Sequence, residues 1–281
     1  MHDDNDNNNN NNDYMKEAQL SFKGRMSYGD YLQLDKILSA QHPLSDADDE
    51  LLFIIQHQTS ELWMNLALYE LRYARNAIAQ DGVHHAMKSL ARVSRIFEQL
   101  NSAWDVLRTM TPSDYTRFRE ALGQSSGFQS YQYRMIEFIL GNRNEVMIRP
   151  HAHHPEIVEI LEKEMHSLSL YDEVLEFARR SGHDIPQRQA QSRACIVDDK
   201  VTLFWQKIYQ DSEAHWKLYE IAEKLVDLED YFRRWRFNHL TTVERVIGLK
   251  KGTGGTSGAA YLKKMLETEL FPELWLVRTM L

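Results

Sequence analysis

The chain has 281 residues, 43% hydrophobic and 26% charged, with a net charge of -8. This suits a large globular domain, and the acidic surplus argues against a nucleic-acid partner, which needs a basic footprint. One cysteine excludes an internal disulfide framework, no apolar run approaches the roughly 18 residues of a membrane span, and the first residues lack a secretory signal, so a cytoplasmic protein without a membrane partner is expected.

Only 6 prolines and 12 glycines favour long helices over a turn-rich β fold. Residues 1 to about 24 are expected to be a disordered tail, since their asparagine run has no apolar periodicity to bury, and residues 25–281 a single helical domain. Asp30 is the expected N-cap of a short helix bearing Leu32, Leu34, Ile37 and Leu38, which Pro43 stops. A long helix runs from Glu50 to Gln80, with Phe53, His57, Glu61, Met64 and Leu68 along one line. Its first turns are apolar over more than half their circumference, so it is expected deep in a bundle. The next helix, His84–Arg108, has a core set that includes Leu90, Val93, Phe97, Leu100 and Trp104.

Thr111 and Pro112 mark a helix start, and a short helix from Tyr115 to Leu122 is expected to end at Gly123. A polar loop spans 124–130, Tyr131–Leu140 is helical, 143–155 is irregular, and 156–180 forms one helix. After a polar connection at 182–196, helices begin at Val201 and at His215. The second carries Leu225, Leu228, Phe232, Trp235, His239, Val243 and Val246 at three- and four-residue steps. A glycine-rich loop, Gly252–Gly258, a short helix, Tyr261–Leu270, and a trailing Phe271–Trp275 complete the chain. With no strand or repeat in view, the expected fold is all-α, one helical bundle around a central cavity.

Several residue groups carry candidate chemistry. A lone histidine on an apolar face, such as His239, is most often a hydrogen-bonded core residue; the alternative is a metal or haem ligand, favoured by nearby Phe232 and Trp235 and by Arg233, Arg234, Arg236 and Arg245 as partners for propionates. His57, four residues after Phe53, presents the same alternatives. Tyr115 and Arg119, also four apart, place a phenol beside a planar guanidinium that matches a carboxylate, unless they are a surface pair. Gly252–Gly258 lacks the lysine of a phosphate loop and follows no strand, which leaves a closing lid or a plain surface loop. His151, His153 and His154 lie between prolines without a carboxylate at ligand spacing.

Together these stretches resemble the tryptophan 2,3-dioxygenases. The resemblance rests on Phe53-Ile-Ile-Gln-His-Gln-Thr-Ser-Glu-Leu-Trp63, Ser126-Gly-Phe-Gln-Ser130, Trp235-Arg-Phe-Asn-His239 and Gly252-Thr-Gly-Gly255, and it extends to Tyr28–Leu32 and Phe271–Leu274. It implies a homotetrameric haem b enzyme with one ferrous haem per subunit. Such an enzyme opens the indole ring of L-tryptophan with O2 to N-formyl-L-kynurenine, the first step of the kynurenine route. By position in the matched motifs, His239 is the implied iron ligand, Trp104 a haem contact and His57 the distal catalytic residue. Phe53, Ile54, Ile55, Gln56, His57, Tyr115, Arg119 and Thr253 are implied around the substrate, with Phe118 and Leu122 as further walls; Tyr28, Tyr31 and Leu32 complete a neighbouring subunit's pocket. Leu249 stands where the family pattern leads one to expect an aromatic. An imidazole is badly matched in pKa to an indole N–H, so His57 is expected to hold that group rather than deprotonate it. Two rivals remain: a related haem oxygenase for another aromatic amino acid, and a haem sensor without turnover.

Overall fold

The computed structural model of the chain describes residues 18–187 and 196–281, and among them every regular element is helical. Of the tail expected to be disordered, residues 1 to about 24, positions 1–17 lie outside the described residues, as does 188–195 of the polar connection.

A short N-terminal unit ends at His42, and a larger one spans Pro43–Leu281. In the first, α1 (Tyr28–Leu32) and α2 (Leu34–Leu38) replace the single helix expected. Ser27, not Asp30, is the cap: its hydroxyl accepts from the Asp30 N–H while the Asp30 carboxylate accepts from the Ser27 N–H. Gln33, at φ 54°, sits in the left-handed region and splits the two helices. Tyr28 and Tyr31 are 75% and 73% exposed.

The larger unit comprises α3 (Asp49–Ala79), α4 (Val83–Leu107), α5 (Pro112–Phe118), α6 (Tyr131–Ile139), α7 (Pro155–Met165), α8 (Leu170–Arg180), α9 (Asp199–Gln210), α10 (Trp216–Val246), α11 (Ala259–Leu266) and α12 (Pro272–Leu276). A tight turn at Gln80–Gly82 makes α3 and α4 a hairpin, and α4 also packs along α10, so the two 31-residue helices flank it. Their facing stripes bury Leu71, Ile78, Leu90, Phe97 and Phe232, each worth about 1.5–3 kcal/mol in area removed from water.

Four expectations need correction. First, α3 is not buried all round: Leu51, Ile55, Leu62, Leu66, Tyr69 and Tyr73 form an exposed apolar stripe along it, which the other described residues leave uncovered. Second, 156–180 is two helices, because Ser169 and Asp172 form a capping box that starts α8 afresh. Third, α5 starts at its Thr111 cap as expected but ends at Phe118, and the irregular 143–155 stretch contains a 3-10 turn, Glu145–His151. Fourth, Phe271–Trp275 is no trailing end: Phe271, Pro272, Glu273 and Leu274 are buried. Buried Glu229 of α10 holds that segment, accepting from the Leu270 and Phe271 N–H groups and the Trp275 indole at 2.6, 3.0 and 2.8 Å. No helix among the described residues is long and apolar enough to cross a membrane.

Candidate active site

The hairpin brings the start of α3 and the end of α4 to the same end of the bundle, where α5 packs against both α3 and α10. A second, smaller apolar cluster forms there, with Tyr115, Phe118, Leu107 and Val246 buried and Phe53, Trp104 and Leu122 packed on it. Phe53 joins its members: its ring lies 4.1 Å from His57, 5.4 Å from Phe118 and 6.2 Å from Tyr115.

His57 has one ring nitrogen committed. Its Nδ1 lies 2.7 Å from the Phe53 carbonyl oxygen. A carbonyl only accepts, so Nδ1 carries the proton. Burial holds the imidazole below its ordinary pKa, against the opposing pull of the Phe53 hydrogen bond and Glu61. The ring is therefore neutral near pH 7, and its Nε2 keeps a lone pair to accept a hydrogen bond.

His239, on α10, stacks on Trp104 at 5.0 Å with 16° between the planes, and Trp235 sits 5.5 Å away. Dense surroundings first, and then the nearby His57, push its pKa down to about 4. Neutral, His239 retains the lone pair a metal ligand needs. Among the described residues no three His, Cys, Asp or Glu side chains converge on a metal site.

The Arg119 guanidinium lies 6.0 Å from the centre of the Tyr115 ring. Burial raises the Tyr115 pKa, so its phenol stays a neutral donor. Arg119 donates to the Lys251 carbonyl at 2.6 Å, and Thr253 Oγ1 donates to the Ser125 carbonyl at 2.5 Å. The glycine-rich loop thus folds onto the 124–130 loop, and Phe128 meets Tyr261 edge-on at 5.7 Å.

Not every expected residue joins this cluster. Consecutive helical residues cannot share a face: Ile55 is exposed, Gln56 is buried in the bundle and Ile54 is half-buried. Tyr28, Tyr31 and Leu32 belong to the N-terminal unit. All four arginines expected to meet propionates have other partners: Arg236 pairs with buried Glu137 at 2.8 Å, Arg234 with Asp230 at 2.6 Å, and Arg233 lies over the Trp275 ring. Arg245 donates to the Arg108 carbonyl. Leu249, where an aromatic was expected, is 88% exposed. Ser125 and the Lys251 carbonyl had no signal in the spacing, because their partners lie more than a hundred residues away.

A sequence profile of the tryptophan 2,3-dioxygenases matches residues 13–182 and 151–281, nearly the whole chain. The chain belongs to the tryptophan 2,3-dioxygenase family. Among curated members of that family, the protein of Bradyrhizobium diazoefficiens is 65% identical over 271 residues, covering 94% of this chain and 96% of the relative. That of Ruegeria sp. (strain TM1040) is 62% identical, covering 93% and 95%, and that of Burkholderia ambifaria (strain MC40-6) is 58% identical, covering 94% and 87%. All three are named tryptophan 2,3-dioxygenase.

The haem that the resemblance to this family implies can be tested against these residues. Trp104 Nε1 is the one buried side-chain nitrogen or oxygen among the described residues without a hydrogen-bond partner. Leaving such a donor unmade costs about 1–3 kcal/mol. It sits on the ring stacked against His239, where a group bringing both a metal and acceptor oxygens would satisfy it. A neutral histidine, an apolar aromatic wall and an orphaned donor fit a haem.

Proposed function

We propose that this chain is a haem-dependent dioxygenase that opens the indole ring of L-tryptophan to N-formyl-L-kynurenine, the first step of tryptophan degradation by the kynurenine route. Membership of the tryptophan 2,3-dioxygenase family supports the reaction. The observation that carries the site is one apolar cluster that seats His57 against Phe53, His239 against Trp104, and the Tyr115–Arg119 pair. The ring bond between C2 and C3 breaks and each carbon becomes a carbonyl, so both oxygen atoms of O2 stay in the product and no external reductant is consumed. Ferrous haem, bound through His239 with Trp104 against it, would supply the activation of O2.

The remaining work falls to this chain's own groups. Arg119 exchanges the Lys251 carbonyl for the substrate carboxylate, a stronger, charge-assisted partner. Tyr115 supports that grip as a neutral donor. Thr253 has given its hydroxyl hydrogen to Ser125, so its oxygen can accept from the substrate ammonium. Phe53 and Phe118 wall the indole. His57 Nε2 accepts from the indole N–H; with Nδ1 already protonated and its pKa lowered, it is too weak a base to remove that proton.

A homotetramer fits two features. The apolar stripe of α3 needs a cover, and a second copy of this chain is the partner always present. The exposed Tyr28 and Tyr31, with Leu32, would complete a neighbour's pocket. The decisive experiment incubates the haem-loaded chain with L-tryptophan under isotopically labelled O2. N-formylkynurenine carrying both heavy oxygen atoms is expected, with no turnover of indole or L-phenylalanine. A protein that binds haem yet forms no product would be a sensor, and turnover of another aromatic amino acid in preference would overturn the substrate.

A further inference from the structure

At Gly254 the glycine-rich loop lies close against the 124–130 loop. A Cβ placed on Gly254 would lie 2.7 Å from Ser126 Cβ, 3.0 Å from Ser126 Oγ and 3.8 Å from Phe128 Cβ. Carbon atoms pack at about 3.5–4.0 Å, so the first contact is forbidden. Gly254 is not among the residues of positive φ, so glycine is required there by the approach and not by the backbone angle. Turning the Ser126 side chain gives no relief, because rotation about its first torsion leaves Cβ where it is. Nor is the loop beneath free to yield. Ser126 caps the 3-10 turn Gly127–Gln129: its hydroxyl accepts from the Phe128 N–H and its own N–H donates to Gln129 Oε1.

The residues on either side make this contact matter. Thr253 hands its hydroxyl hydrogen to Ser125, one residue before Ser126, and Lys251 holds Arg119 through its carbonyl. If Gly254 stood farther off, Thr253 Oγ1 could not reach Ser125, and its hydroxyl would be free to donate as well as accept. The hydrogen bond to Ser125 makes Thr253 an acceptor only, which suits an ammonium and not a carboxylate.

We propose that Gly254 and Ser126 form the seat of the lid, positioning residues whose side-chain-free contact sets Thr253 as an ammonium acceptor and so selects a free α-amino acid. This rests on the tryptophan reading above. It assigns a role to two residues that touch no substrate themselves.

The test is Gly254→Ala, Ser126→Gly and the double variant, each in the haem-loaded full chain. Gly254→Ala should raise KM for L-tryptophan by about tenfold or more with kcat less affected, as expected for an overpacked seat. Ser126→Gly removes the obstructing Cβ, so the double variant should recover most of that KM. A second readout needs no turnover: Lys250 and Lys251 open the lid, and Lys251 is exposed. Tryptic cleavage there should quicken in Gly254→Ala, return toward the parent rate in the double variant, and slow on adding L-tryptophan to the parent. A Gly254→Ala protein with unchanged KM and cleavage, or a double variant no better than the single, overturns the seat. A parent chain that makes no N-formylkynurenine overturns the substrate reading instead, and the cleavage comparison between variants still decides whether the seat exists.

Discussion

Two regions of the bundle treat buried polar groups in opposite ways. Around α12, every donor is met from within: Glu229 takes three hydrogen bonds, and Glu273 accepts from Tyr171 and from the Asp198 N–H. At the other region, where α3, α4 and α10 meet, Trp104 Nε1 has no partner, and His239 and His57 are held neutral with lone pairs to spare. A satisfied network adds stability and fixes one packing; an unsatisfied one costs stability until a ligand arrives. The first region is thus built for the fold and the second for binding.

Substitutions can sharpen or break that contrast. The largest effect is expected at His239: His239→Ala should lose both ring opening and haem uptake, read as haem per chain after reconstitution, while the haem-free protein stays folded. A normal haem content and absorption spectrum would remove His239 as the ligand. Glu229→Ala should do the reverse, destabilising by about 3–5 kcal/mol in denaturant because buried donors lose their acceptor, with any protein that still folds binding haem. A variant of parental stability would show that the network around α12 carries no load.

Arg119→Ala comes next, with a loss of about 2–5 kcal/mol in kcat/KM for L-tryptophan, mostly through KM, and little change in stability. An unchanged KM would detach Arg119 from the carboxylate. pH gives a subtler measure in the haem-free chain. His239 falls from the ordinary imidazole value of 6.5 to about 4 on folding, so the unfolded chain binds the extra proton between those values. Stability is complete above pH 6.5 and declines as pH falls toward 4, by up to about 1.4 kcal/mol per pH unit for this one group. His239→Leu should flatten that slope, and the same slope in both proteins would mean that the folded imidazole protonates freely. The smallest effect belongs to His57→Ser, expected to lose about tenfold in turnover, the worth of one positioning hydrogen bond, and not the 100-fold or more of a lost general base. Complete loss of turnover with haem intact would make His57 an obligatory base.

How much of this was legible in the sequence follows from the range of each interaction. Helical periodicity is local, so the two long helices and Thr111 as a cap could be read directly. The breaks at Gln33 and Ser169 were missed because a left-handed residue or a capping box inside an apolar pattern leaves the periodicity nearly intact. The pairs Phe53–His57 and Tyr115–Arg119 were visible as four-residue steps, and the family motifs named the histidines.

Tertiary structure alone decided the rest. No spacing places His239 against Trp104, or Thr253 against Ser125, since those contacts cross more than a hundred residues and depend on how α4 packs between α3 and α10. Nor could composition say which arginines were free; packing assigned Arg236 to Glu137. Sequence determined which residues could carry the chemistry, because side-chain type and helical repeat are properties of the chain itself. Which of them are neutral, which are paired and which stand open was settled by burial, and burial exists only once the helices have met.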